Sequence, residues 1–467
     1  MKVIKSILQL PRRRMKNAGR LACEISAIIL VLQITVTPTS AKTISTTHDL
    51  NLTLSSKLKN GLPVIARETP GSEIVHIEIG FRTGTATQTP ARRAINPLTF
   101  ETMAYATRKY SKQAIFALTE KYSFGVACKG GIEVSICEME TVKDYLPQAL
   151  DLLLSVVTEP LLTDEDVNLV KKLKIAEFKN EEQDPEAHVN SVVNAIFYDR
   201  DHPFRLLPEE GIKQVETLTA DEMRSYQRTT LDSSIMYVVY AGPKIGKSTL
   251  SMLEIHLGKL GKIERKLTPV PAPVYDPSNT SAFDHLPIPT AYIRMKFNAP
   301  SILSPDAATA NVLFEILSEK LHEEVRTKRS LSYSVHAGTA QFSQGLGVIV
   351  ASTSKPQETL AVIADVIRDL RNKGVTQDEL NEYRNIFTTT YYLTLETHDA
   401  LASALAGYQN YFSDAKMLYD LPRKLDAVTP ADIQRVAKEI LKNFRVGIVY
   451  DKDKFKSEWL APIKALQ

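Results

Sequence analysis

The sequence predicts an α+β fold built as two homologous halves, each an antiparallel sheet packed with long helices. Three observations carry this. Hairpin-like strands are grouped with amphipathic helices, without regular βαβ alternation. Two sequence pairs recur at a nearly constant offset. A proline-rich stretch lies between the repeats. At 467 residues the chain is long enough for two units that each bury a core.

The first 41 residues carry Lys2, Lys5, Arg12, Arg13, Arg14, Lys16 and Arg20 against Glu24 alone, which is +6 of an overall +3 and leaves −3 for the remainder. The apparent basicity therefore belongs to the leader, and the body has no electrostatic reason to bind nucleic acid. Basic residues, the apolar stretch Ile25–Val36 and the small residues up to Ala41 read as a signal peptide over 1–41, with a possible true start at Met15. The apolar stretch is too short to span a bilayer as a helix. The expected location is outside the cytoplasm, the periplasm in a cell that has one, with no stable transmembrane anchor after signal removal.

In the first half, residues 46–262, Glu73–Phe81 alternates with period two as a strand does, and Tyr145–Val157 and Val167–Glu181 read as helices. Phe124–Cys128 and Glu133–Cys137 read as a hairpin turning at Gly130-Gly131. That register sets Cys128 opposite Glu133 and puts Cys137 about 13 Å further along its strand. A disulfide needs Cα atoms within about 7 Å, so free thiols are expected. Residues 263–289 form the proline-rich linker. In the second half, 290–467, Thr290–Phe297, Gly347–Ala351 and Phe444–Tyr450 read as strands, and Ala307–Val325, Gln357–Asn372 and Gln377–Leu395 as helices. The repeat rests on Thr163–Asn168 matching Thr376–Asn381 and Leu218–Met223 matching Val428–Ile433, each a threonine helix cap followed by acids.

Ala241-Gly-Pro-Lys-Ile-Gly-Lys-Ser248 matches a permissive phosphate-binding loop after an apolar strand. Pro243 removes a backbone N–H that would cradle phosphate, and no strand ending in Asp follows to hold magnesium. The segment reads better as the strand-to-helix turn that closes each half, matching Tyr450–Lys454; a P-loop nucleotide-binding protein is the outlying alternative.

Leu58–Ile65, Phe197–Phe204 with Pro208 and Gly211, and above all Leu321–Val335, with Arg326 and Tyr333 seven residues apart, resemble the insulinase/pitrilysin/mitochondrial-processing-peptidase superfamily of inverted zinc metallopeptidases. The resemblance implies a clam-shell arrangement of the halves. Active members carry His-x-x-Glu-His on a helix, two imidazoles on one face around zinc with the Glu as general base, and a distal Glu as third ligand. At the matching positions this chain has Leu98 and Thr102 for the imidazoles, Glu101 for the base and Glu177 for the distal ligand. Two carboxylates without imidazoles make a poor zinc site. No two of the nine histidines lie three to five residues apart, so no replacement motif exists, and no metal or cofactor is expected in this chain.

The resemblance implies instead a non-metal-binding subunit of a heteromeric zinc metallopeptidase, inactive alone. Its partner would be a homologous subunit that carries the zinc, its substrate a peptide, and its contribution Arg326 and Tyr333 acting in trans. A guanidinium offers paired donors to a peptide carbonyl, and a phenol can donate to the developing oxyanion. The bland alternatives are a helix-end Arg in a salt bridge and a strand Tyr in a core. At the level of the protein, the alternative is a non-catalytic peptide-binding or structural module. Glycine-rich sequence often precedes the motif in the family, whereas Ile316–Leu321 is glycine-free.

Overall fold

The structure, a computed structural model, describes residues 50–264, 270–274, 276 and 278–467. The leader 1–41 lies outside the described residues. The first sheet holds β1 (Thr53–Lys57), β2 (Pro63–Glu68), β3 (Ile74–Phe81), β4 (Gly125–Lys129), β5 (Ser135–Val142) and β6 (Met236–Gly242), in the order β1-β2-β6-β3-β5-β4. The second holds β7 (Ser281–His285), β8 (Ala291–Asn298), β9 (Ser332–Gln341), β10 (Gly345–Thr353) and β11 (Arg445–Tyr450), in the order β7-β11-β8-β10-β9. Setting β2-β6-β3-β5-β4 beside β7-β11-β8-β10-β9 superposes the two topologies. In each, one parallel pair, β2 with β6 or β7 with β11, adjoins an otherwise antiparallel ladder. The duplication is thus present in the connectivity. The caps repeat as well: Thr163 and Thr376, then Thr219 and Thr429, each accept from a backbone N–H in the first turn of their helices.

Two sequence expectations need correction. The linker does not run to residue 289, because Ser281–His285 within it is β7, hydrogen-bonded to β11. This short edge strand is only half-buried and is followed by Pro287 and Pro289, so it lacks the apolar alternation that marks a strand in sequence. Cys128 and Cys137 are disulfide-bonded, not free, with Cα atoms 4.0 Å apart. The connection between β4 and β5 is the five residues Gly130–Val134, which sets Cys128 directly opposite Cys137. Thr85 N donates to Gly131 O at 2.9 Å and Ala86 N to Ile132 O at 2.8 Å, so the loop is held by the segment after β3 and not by a tight Gly-Gly turn. Replacing both cysteines with serine is expected to cost about 2–3 kcal/mol through the released loop entropy. Equal urea midpoints for parent and double variant, under oxidising conditions, would show that the bridge contributes nothing.

The helices that position the site are α1 (Ile95–Met103), α2 (Leu146–Thr158), α3 (Asp164–Glu181), α4 (Pro185–Phe197), α5 (Ala307–Leu321), α6 (Pro356–Lys373) and α7 (His398–Phe412). The first core joins Val75, Ile77, Ile79 and Phe81 of β3 to Leu98 and Phe100 of α1 and to Leu150, Leu153 and Leu154 of α2. The second joins Ile293 and Phe297 of β8 to Leu313 and Leu317 of α5 and to Ile363 and Ile367 of α6. Each fully buried side chain of this size contributes about 1.5–3 kcal/mol.

The halves exchange helices. Although α4 follows the first-half helices in sequence, it packs on β7, β8 and β11 of the second sheet. Gly447 permits this, since a Cβ there would sit 2.9 Å from Val193. Lys296 of β8 donates to Asn194 of α4 at 2.5 Å. Conversely, α7 belongs to the second half in sequence but packs on β3 and β6. Leu401, Ala402, Leu405 and Ala406 of α7 bury Ile65, Tyr237, Val239 and Ala241. The halves also meet at Glu133, which accepts from Tyr411 Oη at 2.6 Å, from Ser343 N at 3.0 Å and from Ser343 Oγ.

Candidate functional site

Arg326 sits where α5 gives way to a π-helical turn, His322–Thr327, a rare backbone form that is frequent at functional sites. Buried Val325 anchors the turn. Lys328 N donates to Glu323 O and Leu331 N to Val325 O, both at 2.9 Å, and Ser330 at φ 50° turns the chain into β9. Glu324 is occupied by Lys328 at 2.7 Å and Arg329 at 2.5 Å. Arg326 has no carboxylate partner among the described residues; its Nη1 lies 3.4 Å from His322 Nε2, and its guanidinium stacks over the Tyr333 ring at 4.7 Å.

Tyr333, near the start of β9, is 82% exposed. Neither residue therefore meets the bland fate of core packing or a helix-end salt bridge. Both border an open cleft of about 690 Å³, together with Thr290, Tyr292 and Ser352. A cationic fork and a phenol side by side at a cleft can donate to a carbonyl and to the oxyanion derived from it.

The four metal-site positions fall on α1 and α3, which pack together. Leu98 and Thr102 are buried, Leu98 in the core and Thr102 with its hydroxyl donating to Leu98 O at 2.7 Å. Glu101 and Glu177 do converge, but on an ammonium: Lys174 Nζ lies 2.7 Å from a carboxylate oxygen of each. Sequence reasoning missed Lys174, although its spacing, one turn before Glu177 on the same helix face, was visible. Burial pushes the Glu101 carboxyl up and Lys174 pulls it part of the way back. Burial alone would lower Lys174, but the two carboxylates outweigh it and hold the ammonium above its ordinary value. A side-chain cation thus bridges the two carboxylates, while the imidazole positions belong to the core.

The remaining sequence features have structural roles. His202 is buried, stacked on Tyr198, with Nδ1 accepting from Phe204 N at 3.1 Å and Nε2 3.0 Å from Pro271 O. The phosphate-loop-like segment joins β6 to helix Lys247–Leu257. Because β6 and β11 occupy equivalent places in the two sheets, that segment is the turn closing the first half. No helix among the described residues is long and apolar enough to cross a membrane.

Comparison with known proteins adds to this geometry. Residues 64–207 match the family described as insulinase (peptidase family M16), and residues 217–387 match the one described as peptidase M16 inactive domain. An uncharacterized zinc protease of Streptomyces coelicolor is 22% identical over 407 residues, spanning 84% of this chain and 88% of that protein. The crystal structure of a peptidase M16 inactive domain from Pseudomonas fluorescens is similar with a TM-score of 0.78 at 17% identity, covering 86% of this chain and 98% of that one. A chain of complex III2 from Candida albicans is similar with a TM-score of 0.75 at 16% identity, covering 88% and 99%. These likenesses carry the two-half clam-shell fold.

Proposed function

The chain belongs to the insulinase-type M16 peptidase family, and from that premise we propose that it is the subunit without the catalytic zinc in a heteromeric zinc metallopeptidase, presenting Arg326 and Tyr333 to a peptide held at the zinc of a homologous partner. The observation that carries this reading is the pairing of an uncompensated guanidinium on a π-helical turn with an exposed phenol at the start of β9, in a chain whose metal positions hold Leu98, Thr102 and a lysine-bridged carboxylate pair. Arg326 would orient the peptide carbonyl and Tyr333 would donate to the oxyanion; the partner's zinc would supply the activated water. The similarity to a chain of a multisubunit complex supports a role within an assembly. Export, which the basic and apolar leader implies, gains support from the Cys128–Cys137 disulfide, since such bridges persist in oxidising compartments.

The test is reconstitution. Tagged protein recovered from its native envelope should bring down a subunit carrying His-x-x-Glu-His. Peptide hydrolysis should then require both chains and be abolished by a chelator. Chelator-sensitive hydrolysis by this chain alone would falsify the proposal. Assembly without hydrolysis would favour the alternative of a peptide-binding or structural module.

A further inference from the structure

A second cluster of ligating side chains lies on the face of the first sheet opposite the core that holds α1 and α2. His76 and Glu78 alternate with the core residues of β3 and so point to the α7 side, where Ser403 of α7 donates to Glu78 Oε2 at 3.2 Å. The β3–β5 register sets Glu78 directly across from Glu138, and His76 across from Glu140. Two carboxylates facing each other across neighbouring strands repel. Here Glu78 is 2% and His76 3% exposed, so water reaches only the Glu138 side of the pair. Among the described residues, no lysine or arginine forms an ion pair with Glu78, Glu138 or Glu140; Lys129 influences Glu138 only from a distance. Both ring nitrogens of buried His76 are without a hydrogen-bond partner.

The distances suit one ion. A donor nitrogen of His76 and one oxygen each of Glu78 and Glu138 all lie within 4.8 Å of one another, and His76 Nε2 is 3.6 Å from Glu138 Oε2. Donors bound tetrahedrally at about 2.1 Å from a zinc ion are about 3.4 Å apart. The other ring nitrogen, Nδ1, faces Glu140 at 3.7 Å, the arrangement in which a carboxylate steadies a metal-bound imidazole, and Ser403 would steady Glu78 in the same way.

We propose that His76, Glu78 and Glu138 form a zinc-class divalent metal site, completed by water, on the face of the first-half sheet that α7 covers. One imidazole with two carboxylates suits zinc better than calcium or magnesium, which prefer all-oxygen shells. Such an ion relieves the Glu78–Glu138 repulsion and gives the orphaned imidazole a partner. Because its ligands come from two strands, the site has no short sequence motif.

The test uses untagged full-length protein, stripped with EDTA and titrated with zinc chloride by calorimetry, with cobalt(II) chloride as a spectroscopic probe. One zinc per chain is expected, with a raised unfolding temperature. Glu138→Gln, at a half-exposed position that does not endanger folding, should weaken binding by at least about tenfold. His76→Gln should remove the imidazole contribution to the cobalt spectrum, and Glu177→Gln should bind as the parent does. The proposal is overturned by an absence of zinc uptake, by uptake indifferent to both Glu138→Gln and His76→Gln, or by uptake lost on Glu177→Gln.

Discussion

Lys174→Met is expected to destabilise the protein by about 1–3 kcal/mol, although the methionine keeps the apolar stem that the lysine packs. The side chain of Lys174 is 11% exposed and that of Glu101 32%, so removing the ammonium strands a half-buried carboxylate beside Glu177. The estimate stays below the cost of breaking a fully buried pair because Glu101 keeps some access to water. Glu177, with a side chain 58% exposed, is the built-in control: Glu177→Gln should change stability by less than about 0.5 kcal/mol. Similar urea midpoints for the two variants would remove the basis for calling Lys174 the neutralising cation.

The loss should depend on pH with a definite sign. Burial raises the folded-state pKa of Glu101, so above the ordinary carboxylate range the folded state holds the proton more tightly than the unfolded chain does. Stability then falls as pH rises through that window. Lys174 opposes this in the parent protein, and without it the window widens. The deficit of Lys174→Met relative to the parent should therefore be largest near neutral pH and shrink as pH falls below the ordinary carboxylate range, where Glu101 is protonated in both proteins. The contribution of Lys174 itself, whose pKa is raised, is fully present below the ordinary lysine value and lost only at strongly alkaline pH.

How far the sequence reached depended on whether local signals also determined the tertiary partner. The period-two pattern of β3 and the threonine caps at 163, 219, 376 and 429 were legible because alternation and capping are local physics. The hairpin register was not, because Gly130-Gly131 mimics a tight turn, whereas hydrogen bonds from Thr85 and Ala86 hold a longer loop. Neither α4 nor α7 was read from the sequence, and a local pattern does not say which sheet will cover a helix, so their exchange between halves was invisible. At the site, resemblance located Glu101 and Glu177, and the structure brings them together. Lys174 went unread because a Lys and a Glu one turn apart usually form a surface pair. His76, Glu78 and Glu138 went unread because the ladder that joins them is not written in any one segment.

Tyr333→Phe is expected to lower kcat of the reconstituted complex by about 10²- to 10³-fold, the loss typical of removing one oxyanion donor, while leaving the stability of this chain unchanged. The two halves of that expectation rest on the same geometry. At 82% exposure, Tyr333 contributes little to any core, and its ring, which Phe retains, is what Arg326 stacks on. The substitution therefore deletes a donor without disturbing the turn. KM should change little, because a donor that acts on the oxyanion contributes mainly in the transition state. Arg326→Ala should behave differently: losing a group that orients the ground-state carbonyl raises KM as well as lowering kcat. Lysine at 326 should restore only part of that loss, since a point charge lacks the planar fork. If Tyr333→Phe leaves turnover intact, the phenol does not reach the reacting carbonyl, and Arg326 with Tyr333 is reduced to an exposed stacking pair between a π-helical turn and β9.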